Sequence, residues 1–190
     1  PDGKLSTLPA HLTITSRDAQ SNAGLNLATG DITVSGAALN YTGSQNQAQT
    51  IALTAKTGDI NLSGAQTQAA GQIALTTPAS LIHDSLDATH KTVMQADRFA
   101  MSAGNVSNQG GTINQTGSAD FTIHTGNFNN QGGQLGGNAS NLNVTATGIV
   151  NNQDGALIHT GSGDMRISGA SVNNTRGQLI TNRGLTLTSA

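Results

Sequence analysis

The chain has 190 residues, of which 9% are charged and 2% aromatic, with 24 glycines, no cysteine and a formal net charge of −2. So few charges exclude disorder driven by charge repulsion, and so few aromatics exclude an ordinary mixed core. Its eight Lys and Arg form no basic patch, so neither nucleic acid nor an anionic membrane is an expected partner. Without cysteine there is neither a disulfide framework nor a thiolate metal site.

From the N-terminal side, short apolar pairs with one polar residue between them predict strands whose side chains point alternately in and out. They are Leu25 and Leu27, Ile32 and Val34, Leu39 and Tyr41, Ile51 and Leu53, Ile60 and Leu62, and Ile73 and Leu75. Thr29-Gly30-Asp31-Ile32 recurs as Thr57-Gly58-Asp59-Ile60, followed by Ser35-Gly36 and Ser63-Gly64, a repeat variant with a step of twenty-eight. The densest polar cluster comes next, with His83, Asp84, Asp87 and His90. The spacing of His83 and His90 matches no standard zinc motif, so this is expected to be a solvated loop or an outward strand face where coil length changes.

A strict period then takes over. Asn108, Asn130, Asn152 and Asn174 lie twenty-two residues apart, as do Gly111, Gly133, Gly155 and Gly177, and as do Ile113, Leu135, Leu157 and Leu179. Val106, Phe128, Val150 and Val172 open each unit seven residues before that apolar position, and Leu86 with Val93 extends the array one coil further back. A fixed period of this length marks a solenoid. Alternation in Phe121/Ile123, Leu142/Val144, Met165/Ile167 and Leu185/Leu187 makes its units strands. The predicted fold is all-β, a right-handed parallel β-helix with three short strands per coil of about 22 residues. Residues 1–79 form irregular coils and 80–190 regular ones in one continuous solenoid, with about eight coils at ~4.8 Å spacing, a rod on the order of 40 Å.

Stacking turns each recurring residue into a column, so the apolar columns become the core and the Asn and Gly columns a structural turn ladder. Asn passes amide hydrogen bonds along the stack, and Gly supplies positive φ. One outward column bears on catalysis: Arg98, Asp120, Asn141, Asp164 and Gly184. Asp120 and Asp164 fall two coils apart, ~10 Å, at the upper limit for a carboxylate pair in glycoside hydrolysis. Asn141 stands between them and no aromatic platform is evident, so Arg98 and Asp120 are expected to be an exposed pair on neighbouring coils. No catalytic residue, metal site or cofactor is expected.

The units Asn105-Val106-Ser107-Asn108-Gln109-Gly110-Gly111-Thr112-Ile113, Asn127-Phe128-Asn129-Asn130-Gln131-Gly132-Gly133-Gln134-Leu135 and Ile149-Val150-Asn151-Asn152-Gln153-Asp154-Gly155-Ala156-Leu157 closely resemble repeats of filamentous haemagglutinin-like exoproteins. These include secreted adhesins and effectors of contact-dependent growth inhibition. The resemblance implies a filament exported through an outer-membrane partner transporter and displayed at a Gram-negative cell surface. No secretion domain, toxin module, signal peptide or cap at Ala190 is recognised, and the chain begins at Pro1, so it is expected to be an interior stalk segment, a monomeric rod. A direct adhesion module, with residues 37–50 or 80–92 binding a host receptor or glycan, is the alternative, and a β-helical polysaccharide-degrading enzyme a remote one.

Overall fold

The computed structural model describes residues 10–189, and the expectations for residues 1–9 and Ala190 lie outside them. Every regular element among the described residues is a β-strand, and every strand pairing is parallel. Successive coils stack into a β-solenoid with three faces. On the first face Gln20, Leu39, Ile60, Leu81, Val106, Phe128, Val150 and Val172 stand one above another. On the second the column is Asn26, Asn46, Thr67, Met94, Ile113, Leu135, Leu157 and Leu179. On the third it is Ile14, Val34, Leu53, Leu75, Met101, Ile123, Val144, Ile167 and Leu187.

The core is the inside of this tube. Ile32, Val34, Ile51, Leu53, Ile73, Leu75, Phe121, Ile123 and Val144 are all buried, because strand alternation sends every second side chain inward against its neighbours on adjacent rungs. Each such aliphatic or aromatic side chain contributes ~1.5–3 kcal/mol of burial free energy. Phe99 and Phe121 stack with ring centroids 5.1 Å apart. Within the regular array coil length varies mostly between the second and third faces, where the connections at 116–120, 138–141, 160–164 and 182–184 differ in length without disturbing register on either side.

Several N-terminal expectations change. The twenty-eight-residue repeat does not stack: Asp31-Ile32 lies on the third face, where Ile32 pairs with Ile51, whereas Asp59-Ile60 lies on the first, where Ile60 pairs with Leu39. Twenty-eight residues make one coil plus one face, so similar local sequence serves two different strands. Leu25 and Leu27 invert the expected parity. Leu25 is 63% exposed, because the residue between them, Asn26, turns inward and donates to Asn46 Oδ1 at 2.8 Å.

The coil preceding the regular array is also not the expected one. Val106 sits above Leu81 and Ile113 above Met94, in place of Leu86 and Val93. Between Leu81 and Met94 the chain makes an outward excursion, in which Leu86 is 53% exposed. A seven-residue step on the sequence thus matched a stretch that leaves the coil altogether. The sheets do not break here, since Gln66–Ile82 and Val93–Ser107 pair along most of their length.

Candidate functional site

Where the first face turns into the second, each regular coil carries an Asn, two turn residues and a Gly, closed by a hydrogen bond from the Gly amide to the Asn carbonyl. This bond is 3.3 Å at Gly111, 3.0 Å at Gly133, 3.1 Å at Gly155 and 3.0 Å at Gly177. The residue before each of these glycines is left-handed, with φ of 63° at Gly110, 63° at Gly132, 56° at Asp154 and 55° at Arg176. A left-handed third position is the mark of a type II turn. The recurring Gly column therefore has a different cause from the positive φ expected of it. It is glycine for lack of space: a Cβ at Gly133 would lie 2.0 Å from the Asn108 carbonyl oxygen, and one at Gly155 or Gly177 would lie 2.2 Å from that of Asn130 or Asn152.

The asparagine side chains fill the corner. Asn108 Nδ2 donates to Asn130 Oδ1, Asn130 to Asn152 and Asn152 to Asn174, each at 2.7 Å. Each Nδ2 also reaches two backbone carbonyls, which for Asn108 are Gly111 O at 3.2 Å and Gln134 O at 3.1 Å. These carbonyls accept only, so they fix the amide orientation all along the ladder. Asn108, Asn130 and Asn152 are buried, and the ladder satisfies them internally.

The same corner is lined differently nearer the N-terminus. There the column holds the buried ring of Tyr41 and the buried side chain of Leu62, while the amide and hydroxyl ladder stands on the second face. Asn26 donates to Asn46, and Asn46 to Thr67 Oγ1 at 3.1 Å. The two columns exchange polarity between the rung carrying Leu62 and Thr67 and the rung carrying His83 and Met94. The excursion starts at that point.

His83 occupies the exchange. It is fully buried in the ladder column, in contrast to the solvated position expected of it. Its Nδ1 lies 2.7 Å from Asn108 Oδ1, and because that oxygen can only accept, Nδ1 carries the proton. Its Nε2 is then a bare acceptor with no hydrogen-bond partner. Burial is the main influence on this imidazole and lowers its pKa to about 4, against weaker opposing effects of the Asn108 hydrogen bond, the Asp84 charge and the Val93 backbone.

The other members of the acidic and histidine cluster point elsewhere. Asp84 accepts from Ser107 Oγ and the Gln109 amide, both at 2.7 Å. Asp87 and His90 form their own exposed pair at 2.7 Å within the excursion. Hydrogen bonds from Thr89 and His90 hold the Asp87 carboxyl well below the usual carboxylate range. Among the described residues no three His or acidic groups converge as metal ligands would.

The outward column of Arg98, Asp120, Asn141 and Asp164 does stack, but as another ladder. Asp120 Oδ1 accepts from the Asn141 amide at 3.0 Å and from its Nδ2 at 2.9 Å, and Asn141 Oδ1 accepts from the Asp164 amide at 3.1 Å. Arg98 turns to Gln72 Oε1 at 3.4 Å in place of Asp120, and Arg166 takes Asp164 at 2.7 Å. Both carboxylates are engaged in holding backbone or a cation. A second feature follows from the missing side chains: an open trough of about 410 Å³ runs over Gly110, Gly111, Gly132 and Gly133 between Lys91 and Asp154. Asp154 in turn is bound by Arg176 at 2.6 Å.

Sequence reasoning missed two buried histidines. One is His83 as a ladder member. The other is His159, whose Nε2 donates to Ala139 O at 2.8 Å and whose Nδ1 accepts from Thr181 Oγ1 at 3.1 Å. The signal for His83 was its place two residues after Leu81, the spacing that separates Val106 from Asn108. In comparisons with family models, with curated proteins and with solved structures, nothing matches this chain.

Proposed function

We propose that the chain is a stalk segment of a secreted or surface-displayed exoprotein of the filamentous haemagglutinin-like kind, a stiff rod with no chemistry of its own that holds an adhesive or toxin module away from the cell. The observation that carries this reading is parallel pairing maintained from His11 to Ser189, with internal ladders satisfying the buried amides. A rod of this kind transmits position through its backbone ladder. Each coil templates the next, so folding can proceed as the chain emerges from an outer-membrane partner transporter, without an external energy source. The engagement of the Asp120 carboxylate by Asn141 on the next coil and of the Asp164 carboxylate by Arg166 on its own coil favours this over polysaccharide cleavage, which needs a carboxylate free to take or give a proton.

The test is replacement of residues 10–189 in the parent protein by an unrelated β-solenoid of equal length. Retained attachment or toxin delivery is the expected result, and loss of it with display intact refutes the passive rod. One observation favours a second reading as adhesion module: the excursion carries exposed Leu86 and an exposed, hydrogen-bonded Asp87–His90 pair. Replacing residues 86–91 with a short Gly-Ser bridge leaves attachment unchanged for a stalk. If it abolishes attachment with the rod still folded, the excursion is the binding element.

A further inference from the structure

We infer that His83 and the excursion that begins beside it form an acid-released latch, a segment held against the rod while the imidazole is neutral and freed when it takes up a proton. The geometry is that of a side chain bridging two unlike environments. Asn108 lies above it and accepts from Nδ1, while Leu62 occupies the same column on the rung below and offers Nε2 nothing. A proton on Nε2 would find only the Val93 backbone to favour it, less than burial of the charged ring opposes, so the closed structure disfavours the charged form.

What moves is set by the neck of the excursion, which is closed by a few polar contacts. Thr92 Oγ1 donates to Asp84 O at 2.6 Å, Ser85 Oγ to Gly110 O at 2.7 Å, and the Thr92 amide to Ser85 Oγ at 3.1 Å. The Asp84 carbonyl also accepts from the Gly64 amide on the rung below at 3.0 Å. Asp84 and Thr92 thus join the residue beside His83 to both ends of the segment. Beyond the neck lie Asp87, His90 and Lys91, all exposed, and the Leu86 side chain rests against Gly64. The charge that acts on His83 is that of Asp84, already held by Ser107 and Gln109. The ladder residues above and the Asn61–Ser63 turn below are uncharged.

The direction with pH follows from linkage. His83 binds its proton less readily closed, at about 4, than open, near 6.5, so closure is complete above 6.5 and weakens as pH falls from 6.5 through 4. That difference in proton affinity makes the open form ~30-fold more populated at pH 5 than at pH 7.5.

Hydrogen exchange, corrected for intrinsic rates, tests this. Amides of Gly64, Ser85, Leu86 and Thr92 are expected to lose protection by that factor at pH 5 while those of Ile123, Val144 and Ile167 keep theirs. In His83→Asn, which places at this rung the side chain already used at Asn108, the loss with pH is expected to disappear. Equal protection of the excursion at both pH values, or the same pH response in H83N, overturns the latch. Nitrogen-15 shifts of His83 in the wild-type chain provide a second reading should H83N not fold. A protonated Nδ1 that titrates well below 6.5 supports the latch, and an ordinary titration at 6.5 refutes it.

Discussion

Replacing Asn130 by Ala removes one rung from the middle of the buried ladder, and its cost can be worked from the contacts. Two bonds to other side chains go, from Asn108 and to Asn152, each 2.7 Å, together with donation to the Gly133 and Ala156 carbonyls at 3.2 Å. Asn108 Nδ2 keeps its two carbonyl acceptors, so losing one bond costs ~0.5–1.5 kcal/mol. Asn152 Oδ1 is left buried with no donor, which costs a further ~1–3 kcal/mol. The total is about 2–4 kcal/mol. Asn174→Ala is the control: Asn174 is half-buried at the last described ladder position, and its loss leaves Asn152 Nδ2 bound to Gly155 O and Gln178 O. That variant should lose only ~1 kcal/mol. Asn130→Asp keeps the shape but sets a carboxylate oxygen against Asn152 Oδ1 and the carbonyls of Gly133 and Ala156, so it should exceed Ala in cost. Urea unfolding followed by far-ultraviolet circular dichroism gives the ranking, and amide exchange at rungs 128–157 shows where each lesion acts. Equal costs for Asn130→Ala and Asn174→Ala would refute the account of the ladder as a chain of mutually satisfied amides.

Three more predictions rest on the same corner. Gly133→Ala drives a Cβ to 2.0 Å from a backbone oxygen and should cost several kcal/mol or block folding, whereas Gly132→Ala meets open space and bears only the left-handed φ of 63°, ~1–2 kcal/mol; thermal melts of the pair that agree would refute the steric explanation. Arg176 holds a left-handed φ of 55° that a long side chain dislikes, so Asp154→Gly/Arg176→Gly should melt higher than the wild type despite losing their ion pair, and a lower midpoint would show that the pair outweighs the backbone strain. Tyr41 is the single tyrosine, and burial raises its pKa above 10. The folded state favours the neutral phenol, so its contribution is complete below pH 10 and is lost as pH rises above it; absorbance at 295 nm should show phenolate only with loss of sheet signal, and ionisation of a folded Tyr41 at 10 would contradict its burial.

The sequence alone determined the kind of fold, because a period of twenty-two with two-residue alternation permits few structures other than stacked parallel strands, and it picked out the Asn and Gly columns as the repeating corner. Those inferences succeed where each rung repeats the one before, since equal spacing along the chain then becomes vertical contact. They fail where the repeat is broken. Leu86 matched the spacing of a core position yet lies on the excursion, and Thr57-Gly58-Asp59-Ile60 matched an earlier motif yet serves another face, because a local pattern does not record which side of the tube it occupies. Only the tertiary structure decided that the Gly column answers to a carbonyl 2.0–2.5 Å from the missing Cβ. Only it placed His83 beneath Asn108, between an amide and a leucine, a surrounding assembled from three successive rungs and so not written in any one of them.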